Sequence, residues 1–140
     1  MIYCDTSLLV SALTVEAGSV KVQRWLANQV AASLCISGWV ITEFSSAVAL
    51  KLRRGELTHD DAALALTNWR SLQPDRLITI PVPSEAFGLA ARFCDMIAPG
   101  LRAGNALHLA VASLGGHSLA TLDERMMAGA EAAGVRVIDV

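Results

Sequence analysis

The sequence predicts an α/β fold: a three-layer α/β/α sandwich around a mainly parallel sheet of about five strands. Three observations predict it. Short apolar runs alternate with longer segments of helical period. The runs are apolar throughout rather than alternating, which suits strands buried on both faces of a parallel sheet. Acidic residues stand directly behind two of the runs, at the carboxyl ends of strands where such folds place their ligands.

In chain order, "MIYC" (1–4) is the first strand, and Asp5 behind it is an N-cap for a helix in "LLVSAL". Residues 16–30 carry Val20, Trp25, Leu26 and Val30 at helical spacing. "LCIS" (34–37) is the second strand. A helix then runs over 39–54, with Gly55 as its stop. Thr58 and Asp61 form a capping box for a helix through Leu72. "RLITIPV" (76–82) is the third strand, closed by Pro83, and Ser84 caps a helix reaching about Ile97. Residues 103–114 form another helix, ended by Gly115 and Gly116. "HSLATL" (117–122) is the fourth strand, 124–133 a short helix, and "VRVIDV" (135–140) the last strand.

The chain of 140 residues fits a single domain spanning 1–140. Its apolar fraction of 54% and mean hydropathy of +0.47, with only 17% charged residues, leave surface that a partner chain would cover. No apolar run approaches the ~18–20 residues of a membrane span, and "MIYCDTS" lacks the basic and apolar segments of a secretory signal. Cys4, Cys35 and Cys94 all sit in apolar surroundings and read as buried, reduced thiols, so a cytoplasmic protein is expected. A net charge of −2 argues against gripping nucleic acid by bulk electrostatics, but not against a nucleic-acid enzyme that holds a cation.

Asp5 and Asp123 each read as a helix cap or as a catalytic acid. If the first and fourth strands are neighbours, both carboxylates point into one crevice. Glu43 stands out more. It is the only acid in the stretch 34–50, and its neighbours one turn away are Trp39, Val40 and Ala47. An ionised carboxylate on that face needs a partner, a metal, or exposure near the helix N-terminus. Asn105 lies in the first turn of the 103–114 helix. His108, one turn later in an apolar run, reads as a packed or capping histidine. Crowded carboxylates repel unless a cation intervenes, and a set of hard oxygens suits Mg2+ or Mn2+. The chemistry implied is metal-assisted hydrolysis of a phosphate ester. Lys51, Arg53 and Arg54 read as a favourable helix C-terminus. Arg102 stands three residues before Asn105.

"YCDTSLLV", "ITEFSSAV", "LRAGNALHLA" and "LATLDERM" follow one another in the order and spacing of the PIN domain, over essentially the whole chain. In particular they resemble VapC-type toxins of type II toxin–antitoxin pairs. The resemblance implies an Mg2+- or Mn2+-dependent endoribonuclease that inhibits translation, forms a homodimer and binds a small VapB-like antitoxin. It implies Asp5, Glu43 and Asp123 as catalytic acids and Asp5, Asn105 and Asp123 around the metal. Thr6, Ser7 and Thr121 would support them, and Arg102 would contact RNA or antitoxin. The family usually has aspartate where this chain has Asn105, so the same chain is also compatible with a non-catalytic module that only receives the antitoxin. A receiver domain is disfavoured because the third strand runs into Pro81 and Pro83 and the only lysines are Lys21 and Lys51. A DxD phosphatase fails at Ser7.

Overall fold

A computed structural model describes residues 1–16, 18–30, 32–96 and 100–140. The elements are β1 (Ile2–Cys4), α1 (Thr6–Leu13), α2 (Ser19–Ala27), β2 (Leu34–Ser37), α3 (Gly38–Arg53) and α4 (His59–Arg76). They continue with β3 (Leu77–Ile80), α5 (Ser84–Met96), α6 (Ala103–Leu114), β4 (Ser118–Ala120) and α7 (Glu124–Ala132). The expected end of α5 at Ile97 lies outside the described residues.

The strands form one parallel sheet in the order β3-β2-β1-β4. The chain builds β1, β2 and β3 in one direction, then crosses back to lay β4 on the other side of β1. That reversal opens a crevice at the carboxyl ends of β1 and β4, the switch point where α/β folds bind ligands. The middle strands are apolar because helices cover both faces: Tyr3, Cys4, Cys35 and Ile36 are wholly buried. At the sheet edge, β3 leaves Ile78 exposed. Phe44 of α3 stacks on Trp69 of α4 with ring centroids 4.6 Å apart, fixing those two helices together.

The sheet has four strands, not five. Residues 135–140 contribute one parallel bridge, Val137 to Leu119. The reason is the shortness of β4. Its end residues turn their backbone groups toward β1: Ser118 N–H donates to the Met1 carbonyl, and the Ala120 carbonyl accepts from Asp5 N–H. Only Leu119 faces outward, giving one bond to the Arg136 carbonyl and one from Ile138 N–H, each 2.8 Å. A ladder cannot extend beyond that single residue.

Helix α4 runs past the expected stop at Leu72 to Arg76, with Pro74 inside its last turn. Pro74 removes one helical N–H, but the Arg76 guanidinium bonds the carbonyls of Leu26 and Gln29 at 3.1 and 3.4 Å and anchors that end. The Thr58–Asp61 capping box forms as the sequence predicts. Cys94 is exposed, against the expectation that all three thiols are buried. Lys51 pairs with Glu16 at 2.8 Å and Glu56 at 3.1 Å, which fits the reading of the 51–54 cluster as a helix end. Among the described residues, no helix is long and apolar enough to cross a membrane.

Candidate functional site

Asp5 leaves β1 at the switch point and does two things at once. It caps α1, its Oδ1 accepting from Leu8 N–H at 3.2 Å, and it presents a carboxylate only 3% exposed at the crevice. Asp123 mirrors it behind β4. It caps α7 by accepting from Met126 N–H at 2.9 Å through Oδ1, leaving Oδ2 turned away from the cap. Capping and site-building are therefore the same structural act at both positions.

Ser7 and Thr121 tie the two strand ends together. Ser7 Oγ donates to Asp5 Oδ1 at 2.9 Å and accepts from Leu122 N–H at 3.0 Å. Thr121 Oγ1 accepts from Asp123 N–H at 3.0 Å and lies 3.5 Å from Ser7 Oγ. Asn105, in the first turn of α6, closes the ring: its Nδ2 donates to Asp123 Oδ2 at 3.0 Å.

Glu43 reaches the same region from α3 but is held differently. Its Oε2 accepts from Thr6 Oγ1 at 2.6 Å and from His108 Nε2 at 2.6 Å. Its Oε1 lies so close to the α6 backbone that a Cβ on Gly104 would sit 2.7 Å from it and oblige the carboxylate to shift. His108 is 1% exposed, and its Nδ1 lies 2.9 Å from the Tyr3 hydroxyl, itself 2.7 Å from Ser37 Oγ. A carboxylate only accepts, so His108 Nε2 carries the proton.

The two buried acids are driven in opposite directions. Burial pushes the Asp5 carboxyl above the ordinary aspartate range, against the opposing pull of the His108 charge, the Ser7 hydroxyl and Leu8 N–H. Burial also pushes Glu43 up, but the hydrogen bonds from His108, Thr6 and Trp39 and the His108 charge outweigh it and hold that carboxyl below the usual glutamate range. Glu43 is thus held ionised by its donors, whereas at Asp5 burial outweighs them.

That difference gives a stability prediction. Asp5 binds its proton more tightly folded than unfolded, so its charge costs stability as pH rises above the unfolded value of about 3.9. Asp5→Asn keeps a good cap and removes the cost. In a chelator-containing buffer the variant should melt higher than the parent at pH 7 and lose that advantage near pH 4. A variant less stable than the parent at pH 7 would contradict this account.

As a seat for a hard divalent cation the donor set is all oxygen: the Asp5 and Asp123 carboxylates, plus Asn105 Oδ1 if the amide turns over. Among the described residues no three His, Cys, Asp or Glu side chains form a metal cluster. Asn105 adds no charge, and the Glu43 oxygens are engaged. In kind these oxygens suit such an ion, with two charges in place of the three that an aspartate at 105 would complete. Next to Asn105 and Asp123 lies an open cavity of about 420 Å³, also lined by Gly100, Arg102, Glu124 and Arg125.

Every residue singled out in the sequence for the site falls in this region: Asp5, Thr6, Ser7, Glu43, Arg102, Asn105, Thr121 and Asp123. Sequence reasoning missed His108 as the partner of Glu43, Gly104 as the gap that admits it, Trp39 as a donor to it, and Arg125. A histidine one turn beyond Asn105 in an apolar helix was the one available signal for the first.

A PIN domain family model matches residues 2–131. Compared by sequence with curated proteins, the chain has no match. Among solved structures, it is similar to the Mycobacterium tuberculosis toxin VapC20, described as cleaving the Sarcin-Ricin loop. The TM-score is 0.75 and the identity 18%, over 100% of both chains. It is similar to FitAcB from Neisseria gonorrhoeae at TM-score 0.70 and 19% identity, over 99% of this chain and 97% of the other. VapBC2 from Rickettsia felis, solved with a DNA fragment from its promoter, gives TM-score 0.61 and 15% identity, over 99% and 98%. At these identities the likeness speaks for the fold.

Proposed function

This chain belongs to the PIN domain family, and from that premise we propose that it is the toxin of a type II toxin–antitoxin pair, an Mg2+- or Mn2+-dependent endoribonuclease that acts on RNA in the cytoplasm. What supports the reading is that Asp5 and Asp123 follow the neighbouring strands β1 and β4, that Ser7 and Thr121 link those two ends, and that Asn105 bonds Asp123. Asp5 and Asp123, with the Asn105 carbonyl, would hold the ion. Bound there, it supplies a water of lowered pKa and offsets charge on the phosphodiester.

The protein's own groups set up that exchange. Ser7 and Leu8 N–H fix the Asp5 carboxylate, and Thr121 fixes the backbone of Asp123. Glu43, held ionised by its donors, is not a source of a proton. In the hydrolysis, water oxygen bonds to phosphorus, the bond to one bridging oxygen breaks, and the water proton ends on solvent or on the leaving oxygen. Homodimer formation and capture of a VapB-like antitoxin complete the proposal, supported by the apolar surface that composition leaves to be covered. Leu64 and Phe87, each 60% exposed, belong to that surface.

One observation favours a second reading. The Asn105 amide already satisfies Asp123, and a module that only binds antitoxin needs no cation there. RNA cleavage assayed with added Mg2+ or Mn2+ separates the two. The enzyme reading expects measurable cutting that Asp5→Ala abolishes. If neither this chain nor Asn105→Asp cuts RNA or binds metal, the enzyme reading falls and the binding module stands.

A further inference from the structure

The cavity beside the acids has a second lining that the metal chemistry does not use. Arg102, at the N-cap of α6, and Arg125, in the first turn of α7, both face it across Asn105 and Asp123. Both are exposed, and among the described residues neither makes a salt bridge or a side-chain hydrogen bond, although Asp123 and Glu124 line the same space. Arg125 is placed by the backbone beneath it. Its Cδ, Nε and Nη1 lie 3.6–3.7 Å from where a Cβ on Gly100 would stand, and Gly100 has φ +112°, a conformation that L side chains rarely adopt. The guanidinium therefore lies over a stretch of bare backbone instead of pairing with its acidic neighbours.

Two free guanidiniums on the rim of an acidic crevice answer a specific electrostatic problem. A polyanion approaching Asp5, Glu43 and Asp123 meets repulsion except where the protein supplies fixed positive charge. Arginine's planar fork matches a phosphate's oxygens, and its charge persists at every relevant pH. We propose that Arg102 and Arg125 form a phosphate clamp that grips a backbone phosphate of single-stranded RNA beside the acidic crevice. This rests on the reading of the chain as an RNA-cutting enzyme and adds a binding subsite to it.

The test measures binding without chemistry. A fluorescent single-stranded RNA oligonucleotide is titrated with the full chain in EDTA by anisotropy, at several salt concentrations. Arg102→Gln and Arg125→Gln are each expected to weaken binding about 10-fold, the scale of one charge-assisted contact. Each should also reduce the slope of log K against log salt by about 0.7. Arg24→Gln, on α2 and outside the cavity, should leave both unchanged, and thermal melting should show all variants folded. If the double variant binds as the parent does, or if Arg24→Gln weakens binding as much, the clamp is overturned. Cleavage assayed in parallel distinguishes the failures: a parent that cuts RNA while the arginine variants bind it normally sinks the clamp alone. A parent that neither binds nor cuts RNA sinks the clamp and the enzyme reading together.

Discussion

If Asp5 and Asp123 hold a cation as proposed, Asn105→Asp is expected to strengthen its binding and to make the stability of the fold depend on the ion. The Asn105 amide sits 3.0 Å from Asp123 Oδ2 and donates to it. A carboxylate in its place puts like charges at that distance, a repulsion of roughly 5 kcal/mol at an effective dielectric of about 20 before solvent screening. Both residues are partly exposed, so a net cost of about 1–2 kcal/mol is expected. That is a melting temperature lower by roughly 3–8 °C at pH 7 without metal.

The cost belongs to the doubly ionised pair, in which one carboxyl is pushed up by the other. It should fade as pH falls toward about 4, where a proton bridges the pair. With Mn2+ the sign reverses, because a third charge strengthens the site by ~1–3 kcal/mol, or about 5- to 150-fold in affinity. At an ion concentration of about 100 times Kd the fold gains about 2.7 kcal/mol. Melting curves with and without Mn2+, for the parent and the variant, measure both effects, and RNA cleavage should rise with metal occupancy. Identical curves for the two chains would mean that position 105 does not face the ion.

His108→Leu is expected to cost about 2–3 kcal/mol, roughly 5–12 °C in melting temperature. The lower part of the range for a broken buried pair applies because Glu43 keeps about a quarter of its side chain exposed. Leucine fills the volume but donates nothing to Glu43 Oε2 and leaves the Tyr3 hydroxyl without its His108 partner. Tyr3 retains Ser37 at 2.7 Å, so the damage centres on the carboxylate.

The pH dependence identifies the cause. In the parent, Glu43 is held below its unfolded value, so its contribution is present above pH ~4.3 and is lost as pH falls through the depressed folded value. In the variant burial acts with less opposition, and that contribution is lost. The gap between the two chains should therefore widen as pH rises from about 3 to 6. A constant gap would indicate lost packing alone. His108→Gln, which can still donate, should recover part of the stability and narrow the pH dependence.

Much of this arrangement is legible in the sequence. The parallel α/β class follows from short unalternated apolar runs between helical segments. α6 begins and ends at the residues its pattern predicts. Asp5 and Asp123 stand out because each stands behind a strand, Asp5 directly after β1 and Asp123 separated from the end of β4 by two residues. These signals are local. Strand and helix periods, caps and stops are set by residues within a few positions of one another, so the order of the amino acids contains them. The fifth strand could not be excluded in the same way, because residues 135–140 are apolar enough. The limit came from β4, whose single outward-facing residue supports one bridge.

The amino-acid order by itself determined the helices and four of the five expected strands, and the acids behind β1 and β4. Tertiary structure alone decided which of those groups are already paired. Glu43 finds Thr6 and His108 across 37 and 65 positions, Tyr3 finds His108 across 105, and Asn105 finds Asp123 across 18. The charge state of a carboxylate depends on donors within about 3 Å and on its exposure to water. Both are properties of packing, and chain neighbours do not report them.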